Sequence, residues 1–547
     1  MTGGFRSRSK SGDPAQRAGT GAEKGKQQRG SQQRGSSRGG HDHKGRGGYK
    51  NTGAQRDRRG GQRQTAHHDR QNPSLISAAR RSGVDVPRAV AFEVLQRVAA
   101  DDAFANLTLP KAVSANKLSG RDAAFATELT YGTLRTEGVL DAVIAECSSR
   151  GLDAIAPEVL TALRLGTYQV LYTRVEAHAA VDTTVRLVEA AGHEKAKGFA
   201  NGIMRTITRT PAQEWLDKLA PSGEVAALAF RHAHPEWIAR SFGRALGLLD
   251  TADDNALSAE QTAELERALE ADSERPLVHL VARPGEISAE ELALITGCEE
   301  GRYSPYAVYL EQGDPGSLEP VRQKLAAVQD EGSQLIARAV TEAELIGEDS
   351  GRWLDLCAGP GGKAALMGAI ARVEGAEVDA VEVSPHRATL VEKTVGDLPV
   401  RVHRADGRAP GLDAGFDRVL VDAPCSGLGA LRRRPEARWR KAESDIAELN
   451  TLQTELLESA LALVRPGGVV VYSTCSPDLR ETRGIVDAAV ERHGAGAEIR
   501  VEELDTRDVL PDMGDLGSEL SARCGRTVMA PTRCFSPSSA EWRTSGA

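Results

Sequence analysis

Asp417-Arg418-Val419-Leu420-Val421-Asp422-Ala423-Pro424-Cys425-Ser426 and Val469-Val470-Val471-Tyr472-Ser473-Thr474-Cys475-Ser476-Pro477 follow one plan: a short apolar run, then a turn that carries a cysteine. Such runs, rich in β-branched residues and closed by turn residues, read as buried strands. Upstream, Arg352-Trp353-Leu354-Asp355-Leu356 ends at a glycine-rich turn, Cys357-Ala358-Gly359-Pro360-Gly361-Gly362-Lys363. Strands are expected at 352–356, 377–382, 400–404, 417–421 and 468–473. A long amphipathic helix should run through Ile446, Leu449, Leu452, Leu456 and Leu461 and stop at Arg465-Pro466-Gly467-Gly468. Alternation of this kind predicts a doubly wound, largely parallel α/β sheet. Ligands bind such sheets beyond the carboxyl ends of the strands, so the three turns should line one crevice.

The glycine-rich turn separates from two lookalikes. A Walker A loop needs glycine six residues before the lysine and Ser/Thr after it; Cys357 and Ala364 occupy those places. The dinucleotide pattern G-x-G-x-x-G is not met either. What remains is a tight turn whose glycines let backbone N–H groups and a helix N-terminus approach a carboxylate or a ribose. Glu382, at the end of the next strand, suits ribose hydroxyls, and Asp406, after the third, an adenine amino group. Taken alone, each acid is more readily a solvated strand-end residue or helix cap; in register behind the glycine turn, binding is the better reading.

A turn for a nucleotide-type cofactor facing two thiols points to covalent catalysis on an electron-poor ring. Carbon 5 of cytosine is a poor nucleophile until a thiolate adds to C6 and makes C5 enamine-like; it can then accept a methyl group from a sulfonium donor. A base must remove the C5 proton before elimination frees the thiol. The chemistry thus needs an activated thiol, a group that engages N3 or the exocyclic amine, and a proton acceptor; Cys475, Asp422 and Cys425 can fill these roles, and on the residues alone either cysteine could attack. A single free cysteine is more often a small buried hydrophobe; two at matching strand ends argue for chemistry. The basic stretch Arg432-Arg433-Arg434-Pro435-Glu436, with Arg438, Trp439 and Arg440, is expected to contact phosphates and stack on a flipped base.

The rest of the 547 residues divides by texture. Residues 1–72 are rich in Gly, Arg, Gln and Ser and should be disordered. The first 70 carry 17 Lys+Arg against 5 Asp+Glu, leaving 52 against 72 for the remainder, so the net charge of −8 hides a basic tail on an acidic body. That asymmetry suits a polyanionic partner. Helical periodicity then takes over: Ala89, Phe92, Leu95 and Val98 mark one face, Ala124, Leu129 and Leu134 another, and Leu160, Leu163, Leu165, Val170 and Leu171 a third. This all-α domain should span 85–210, ending at Thr210-Pro211. Residues 211–345 read as a small α+β connector, with a β-α-β unit formed by Leu277–Val281, a helix near Ala289–Leu292, and Ala307–Leu310. The α/β domain should cover 346–528. None of the seven cysteines falls in a zinc-ligand spacing, so no metal is expected. Free thiols and the lack of an apolar signal core or a ~20-residue apolar run favour a cytoplasmic protein with no membrane association.

The strings Phe104-Ala105-Asn106-Leu107, Arg121-Asp122-Ala123-Ala124-Phe125, Glu128–Arg135 and Gly198–Arg205 resemble the NusB-like RNA-binding domain. Val328–Leu335, Cys357–Lys363, Asp422–Gly429 and Tyr472–Ser476 closely resemble the RsmB/Fmu family of ribosomal RNA cytosine-C5 methyltransferases, within the NOL1/NOP2/Sun group. Together the resemblance covers roughly 87–520. It implies a Rossmann-like methyltransferase domain that uses S-adenosylmethionine, held by residues 357–363, Glu382, Asp406 and Asp422. It assigns the nucleophile to Cys475 and product release to Cys425. It also implies RNA as the partner, 16S ribosomal RNA before transfer RNA, and a monomer; a non-catalytic assembly factor is the contrasting reading. The C-terminus departs from the family, whose closing strand reads roughly His-Gly-Thr-Asp-Ala-Met-Phe-Phe-Ala. Met529–Pro537 has no strand pattern, yet its codons in a shifted frame can encode Gly-Thr-Asp-Ala-Met-Phe-Phe-Ala-Val-Leu-Arg-Arg. A frameshift after about Thr527 is therefore expected, leaving 529–547 as an atypical tail.

Overall fold

The computed structural model describes residues 75–510, apart from 102, 251–256, 495–496 and 498, together with the backbone of 522–524 and 527–535. The basic tail over 1–72 lies outside the described residues.

The helical periodicity becomes a bundle containing Val86–Asp101, Gly120–Arg135, Pro157–Tyr172, Ala177–Ala190 and Lys197–Ile207. Phe92, Leu129, Leu163, Leu165, Leu187 and Met204 share its core. Ala124, expected on the buried face, is exposed, and Ala126 takes its place. The bundle does not stop at Thr210-Pro211. The helix Ala212–Leu219 folds back, burying Trp215 in the same core and donating its indole N–H to the Ile207 carbonyl at 3.2 Å.

The connector begins with helices Glu224–Arg231, Glu236–Ala245 and Ala259–Ser273. Strands β1 (Val278–Ala282), β2 (Glu299–Glu300), β3 (Ala307–Leu310) and β4 (Ala326–Val328) follow, forming a four-stranded sheet in the order β2-β3-β1-β4. The expected β-α-β unit is corrected here. β1 and β3 run antiparallel, Leu280 opposite Val308, with the helix Ala289–Thr296 between them in sequence. Short apolar runs set which residues pair but not the direction of pairing.

The C-terminal domain contains β5 (Arg352–Asp355), β6 (Glu377–Val381), β7 (Val400–His403), β8 (Phe416–Asp422), β9 (Val464–Thr474), β10 (Arg500–Glu503), β11 (Ala522–Cys524) and β12 (Thr527–Phe535). The order is β10-β12-β9-β8-β5-β6-β7, with β11 paired to β12. β7, β6, β5, β8 and β9 are mutually parallel, so their central runs are buried on both faces. Leu420, Val469 and Val471 meet the helices Glu331–Glu342 and Gly362–Glu374 on one side. Val419, Val421, Val470 and Tyr472 meet Asp445–Leu463 and Arg483–Arg492 on the other. The long helix expected from Ile446 to Leu461 is the first of that second pair.

Met529–Pro537 was expected to lack a strand, but β12 lies antiparallel to both β9 and β10, Met529 opposite Ser473 and Val501 opposite Cys534. Antiparallel pairing is made by the backbone, and β9 would otherwise offer an open edge of peptide groups. Pro531, opposite Val471, brings no N–H to that ladder.

Candidate active site

The strand register builds the crevice. Asp355 of β5 is paired with Leu420 of β8, and Asp422 at the end of β8 is paired with Ser473 of β9. The glycine-rich turn and both cysteine turns therefore leave three adjacent parallel strands at the same end, where the strand order reverses direction.

In the first turn Gly361 has φ 110° and caps the helix Gly362–Glu374. A Cβ at Gly359 would lie 2.0 Å from Glu382 Oε2, so only glycine lets the turn pass the buried carboxylate. Glu382 accepts from the Ser384 N–H at 2.8 Å and faces Arg387 at 3.3 Å. Lys363 turns back across the crevice: its Nζ lies 2.7 Å from Asp422 Oδ2 and 3.3 Å from Ser333 Oγ. Burial works against the ammonium, but Asp422 outweighs it and holds the Lys363 pKa above the ordinary range. The other Asp422 oxygen accepts from Ser473 Oγ at 3.1 Å.

Cys425 and Cys475 bring their sulfurs to 3.4 Å. Their environments divide the proton. The hydrogen bond from Cys425 lowers the Cys475 pKa; desolvation and Asp422 oppose that, while Lys363 and Arg434 reinforce it. Cys425 is pushed well up, first by the same hydrogen bond, then by burial and by Cys475, Glu481 and Asp422. Of the two, Cys475 is the thiol whose ionisation the surroundings favour, and Cys425 the one they oppose.

A buried network that motif reading missed fixes the two turns to each other. The Glu481 carboxylate accepts from the Ser426 N–H at 2.8 Å, from Ser426 Oγ and from Gln453 Nε2 at 3.1 Å. Gln453 also donates to the Pro424 carbonyl at 3.0 Å, and Ser426 Oγ meets Ser476 Oγ at 3.1 Å. The Gly429 N–H donates to the Cys475 carbonyl at 2.8 Å. Asp355 was missed as well. It is buried, accepts from the Cys357 N–H at 3.3 Å, and leaves Oδ2 without a partner. Burial, then repulsion from Asp422, pushes its pKa up to about 7. Its one sequence signal was a carboxylate closing an otherwise apolar strand.

The 16S rRNA methyltransferase RsmB/F family profile matches residues 343–514, and the NusB family profile matches 85–209. Rv1407 of Mycobacterium tuberculosis, whose name describes a methyltransferase, is 54% identical over 442 residues, covering 80% of this chain and 93% of the relative. Ribosomal RNA small subunit methyltransferase B of Erwinia tasmaniensis is 30% identical over 431 residues, covering 76% and 92%. The chain belongs to the RsmB/F methyltransferase family. The solved structure of PH0851 has the same fold: TM-score 0.66 at 21% identity, covering 82% of this chain and 98% of that one.

One expectation for this RsmB/F family member changes in the structure, and the surroundings of Asp406 are defined. Asp406 follows β7 at the same end of the sheet, but its carboxylate is engaged by Arg408 of its own turn at 2.6 Å and is lowered in pKa by it. The basic stretch after Cys425 is mostly a latch. Arg438 is fully buried, 2.9 Å from Asp272, and donates to the Ala233 carbonyl at 3.0 Å. Trp439 donates its indole N–H to the Arg135 carbonyl at 3.0 Å, and Arg440 reaches the Val98 carbonyl. Trp439 therefore does not stack on a base; Arg434 and Arg440 are the exposed residues of the stretch, and it is the Arg434 charge that reaches Cys475. Among the described residues, one grouping has metal-ligand character, His232 with Glu266 and Glu270, on the connector helices rather than in the crevice. No helix among them is long and apolar enough to cross a membrane.

Proposed function

We propose that this protein methylates C5 of a cytosine in RNA, small-subunit ribosomal RNA above all, through a covalent adduct between Cys475 and C6. The observation that carries the reading is the sulfur pair at 3.4 Å, in surroundings that favour ionisation of Cys475 and oppose that of Cys425. Two thiols so placed, with opposed tendencies to ionise, suit a nucleophile with an adjacent proton-handling partner.

S-adenosylmethionine fits the crevice. Gly359 lets the turn lie against Glu382, where a side chain would displace the carboxylate, Asp355 Oδ2 is buried without a partner, and buried Glu382 suits ribose hydroxyls. When bound, the cofactor supplies an electrophilic methyl group on sulfonium sulfur. The chain supplies the rest. The Cys475 thiolate adds to C6, moving electron density to C5. Asp422, held by Lys363 and Ser473, faces the base and orients its amine and N3 edge. After C5 is alkylated, a water molecule acting as base takes the C5 proton, the C5–H electron pair forms the C5=C6 bond, and the C6–sulfur bond breaks with its pair going to Cys475. Cys425, protonated and in contact with the leaving sulfur, assists that release. Free thiols in such roles suit a reducing cytoplasm.

The test uses two variants with RNA and labelled S-adenosylmethionine. Cys425→Ala should accumulate a covalent protein–RNA band on a denaturing gel, and Cys475→Ala should give neither band nor methylated RNA. The reverse pattern would exchange the two roles; no label transfer to any RNA by the wild type would remove the reading. Bisulfite mapping of RNA from a strain lacking the gene then identifies the nucleotide.

A further inference from the structure

We propose that Phe104 and Leu107 of the helical domain, with Arg434 of the Cys425 turn, form a stacking platform for a nucleobase next to the target cytosine. The inference rests on the methylation reading only in placing the target base at the thiols.

The platform is built from an unusual cap. Phe104 occupies the N-cap of the helix Ala105–Ala115, a position that favours Ser, Thr, Asp or Asn, and its side chain makes no capping bond. The cap comes from outside: Glu436, eleven residues beyond Cys425, accepts from the Ala105 N–H at 3.2 Å. Position 104 is thereby freed from capping and carries a large aromatic side chain instead. That side chain is 48% exposed, and Leu107, one turn on, is 57% exposed. Large apolar groups side by side in water at the end of a fastened helix mark a contact surface rather than core.

Its position points to the occupant. The Gly429 N–H holds the Cys475 carbonyl at 2.8 Å, and the Arg434 N–H holds the Ala430 carbonyl at 3.1 Å, so one short turn leads from the nucleophile to Arg434. The Arg434 guanidinium lies 5.3 Å from the Phe104 ring centroid. Its charge also reaches Cys475, where it favours the thiolate. An exposed ring and a planar cation, one short turn from Cys475, present a π-face and a phosphate partner together. Single-stranded RNA, whose unstacked bases lie on aromatic and guanidinium planes, is what such a surface takes. Trp439, locked against the Arg135 carbonyl, is not free for this.

The test reads binding, not methyl transfer, so it stands apart from the adduct experiment. The full chain, without S-adenosylmethionine, is titrated into a fluorescein-labelled 12-nucleotide RNA with one cytosine flanked by adenines. Phe104→Ala should weaken binding about 5- to 100-fold, and Phe104→Trp should bind like the wild type. With abasic residues in place of the flanking adenines, the Phe104→Ala deficit should vanish. Arg434→Ala should weaken binding and flatten its salt dependence, whereas Phe104→Ala leaves the salt slope alone. An unchanged affinity in Phe104→Ala, or a deficit that persists on the abasic RNA, overturns the proposal. So does sedimentation showing that the wild type self-associates through this patch while RNA binding ignores it. If the platform behaves as stated and no methyl group is transferred, the methylation reading fails alone.

Discussion

Glu481→Ala should loosen the Cys425 turn while leaving the cofactor turn intact. The wild-type carboxylate is fully buried and accepts from the Ser426 N–H, Ser426 Oγ and Gln453 Nε2. Alanine leaves the Ser426 N–H and one Gln453 N–H without an acceptor, while the Ser426 hydroxyl can turn to Ser476 Oγ. Each unsatisfied buried group costs about 1–3 kcal/mol, partly relieved by water entering the space, so the turn should lose roughly 2–6 kcal/mol. Native-state hydrogen exchange reads this at one atom, because the Ser426 amide is itself a donor to Glu481. Its exchange should accelerate roughly a hundredfold to ten-thousandfold. Methyl transfer should fall by about a hundredfold or more, the scale of a 1 Å misplacement of reacting groups. S-adenosylmethionine affinity should stay within about twofold, since Asp355, Gly359 and Glu382 make no contact with this network. Glu481→Gln keeps one acceptor oxygen, and Gln453 has an unpartnered Oε1 that could turn toward it, so its loss should be about half. If Ser426 exchange is unchanged in Glu481→Ala, or if cofactor binding collapses with activity, Glu481 is not what positions the thiol pair.

Arg438→Met should cost about 3–5 kcal/mol, because it leaves the Asp272 carboxylate buried without its cation; exchange of amides in Ala259–Ser273 checks this. The same cluster sets an acid limb. Burial, then Arg438, lowers the His234 pKa from 6.5 to about 4, so the unfolded chain binds a proton there that the folded chain refuses. The contribution is present above pH 6.5 and is lost as pH falls through about 4; His234→Gln should flatten urea midpoints between those limits. Gly359→Ala would bring a Cβ to 2.0 Å from Glu382 Oε2 and should weaken S-adenosylmethionine at least about tenfold by calorimetry. Equal affinity there would place the cofactor elsewhere.

The parallel sheet was legible because buried strands are written as apolar runs: Val419-Leu420-Val421 and Val469-Val470-Val471 can belong to little else. The crevice followed, since strand ends carry the turns and turns carry the motifs. Three things were not legible. Glu481 and Gln453 act on the thiol turns, but in sequence they are one polar residue after a turn and another inside a helix; only packing brings them to Ser426. Arg438, Trp439 and Arg440 were misread because composition shows charge and aromaticity but not burial, and a basic cluster that latches domains is spelled like one that binds phosphate. β12 was missed because β9 can pair through backbone alone with a segment of unfavourable composition. The pairing leaves the frameshift question open to one experiment: resequencing the 3′ end of the gene, where an unambiguous read in the present frame removes a sequencing error after Thr527.

The latch has a consequence for how the helical domain serves the chemistry. Beyond Cys425, Leu428 and Leu431 sit in the connector core with Ile238, Phe242, Leu265 and Leu269. Arg438 then reaches Asp272, Trp439 reaches Arg135, and Glu436 caps the helix that begins at Ala105. One turn of about fifteen residues is therefore gripped by the connector, the helical bundle and the α/β sheet at once. Burying the two leucines alone contributes about 3–6 kcal/mol, which exceeds what a surface loop needs to hold its shape. A turn that only carried a thiol could be anchored in its own domain. Anchoring it in three makes the distance from the helical domain to Cys475 a fixed quantity, so under the proposed function an RNA held on the bundle would meet Cys475 in one register. Specificity can then reside in where the RNA lies on the helices rather than in contacts to the target cytosine itself.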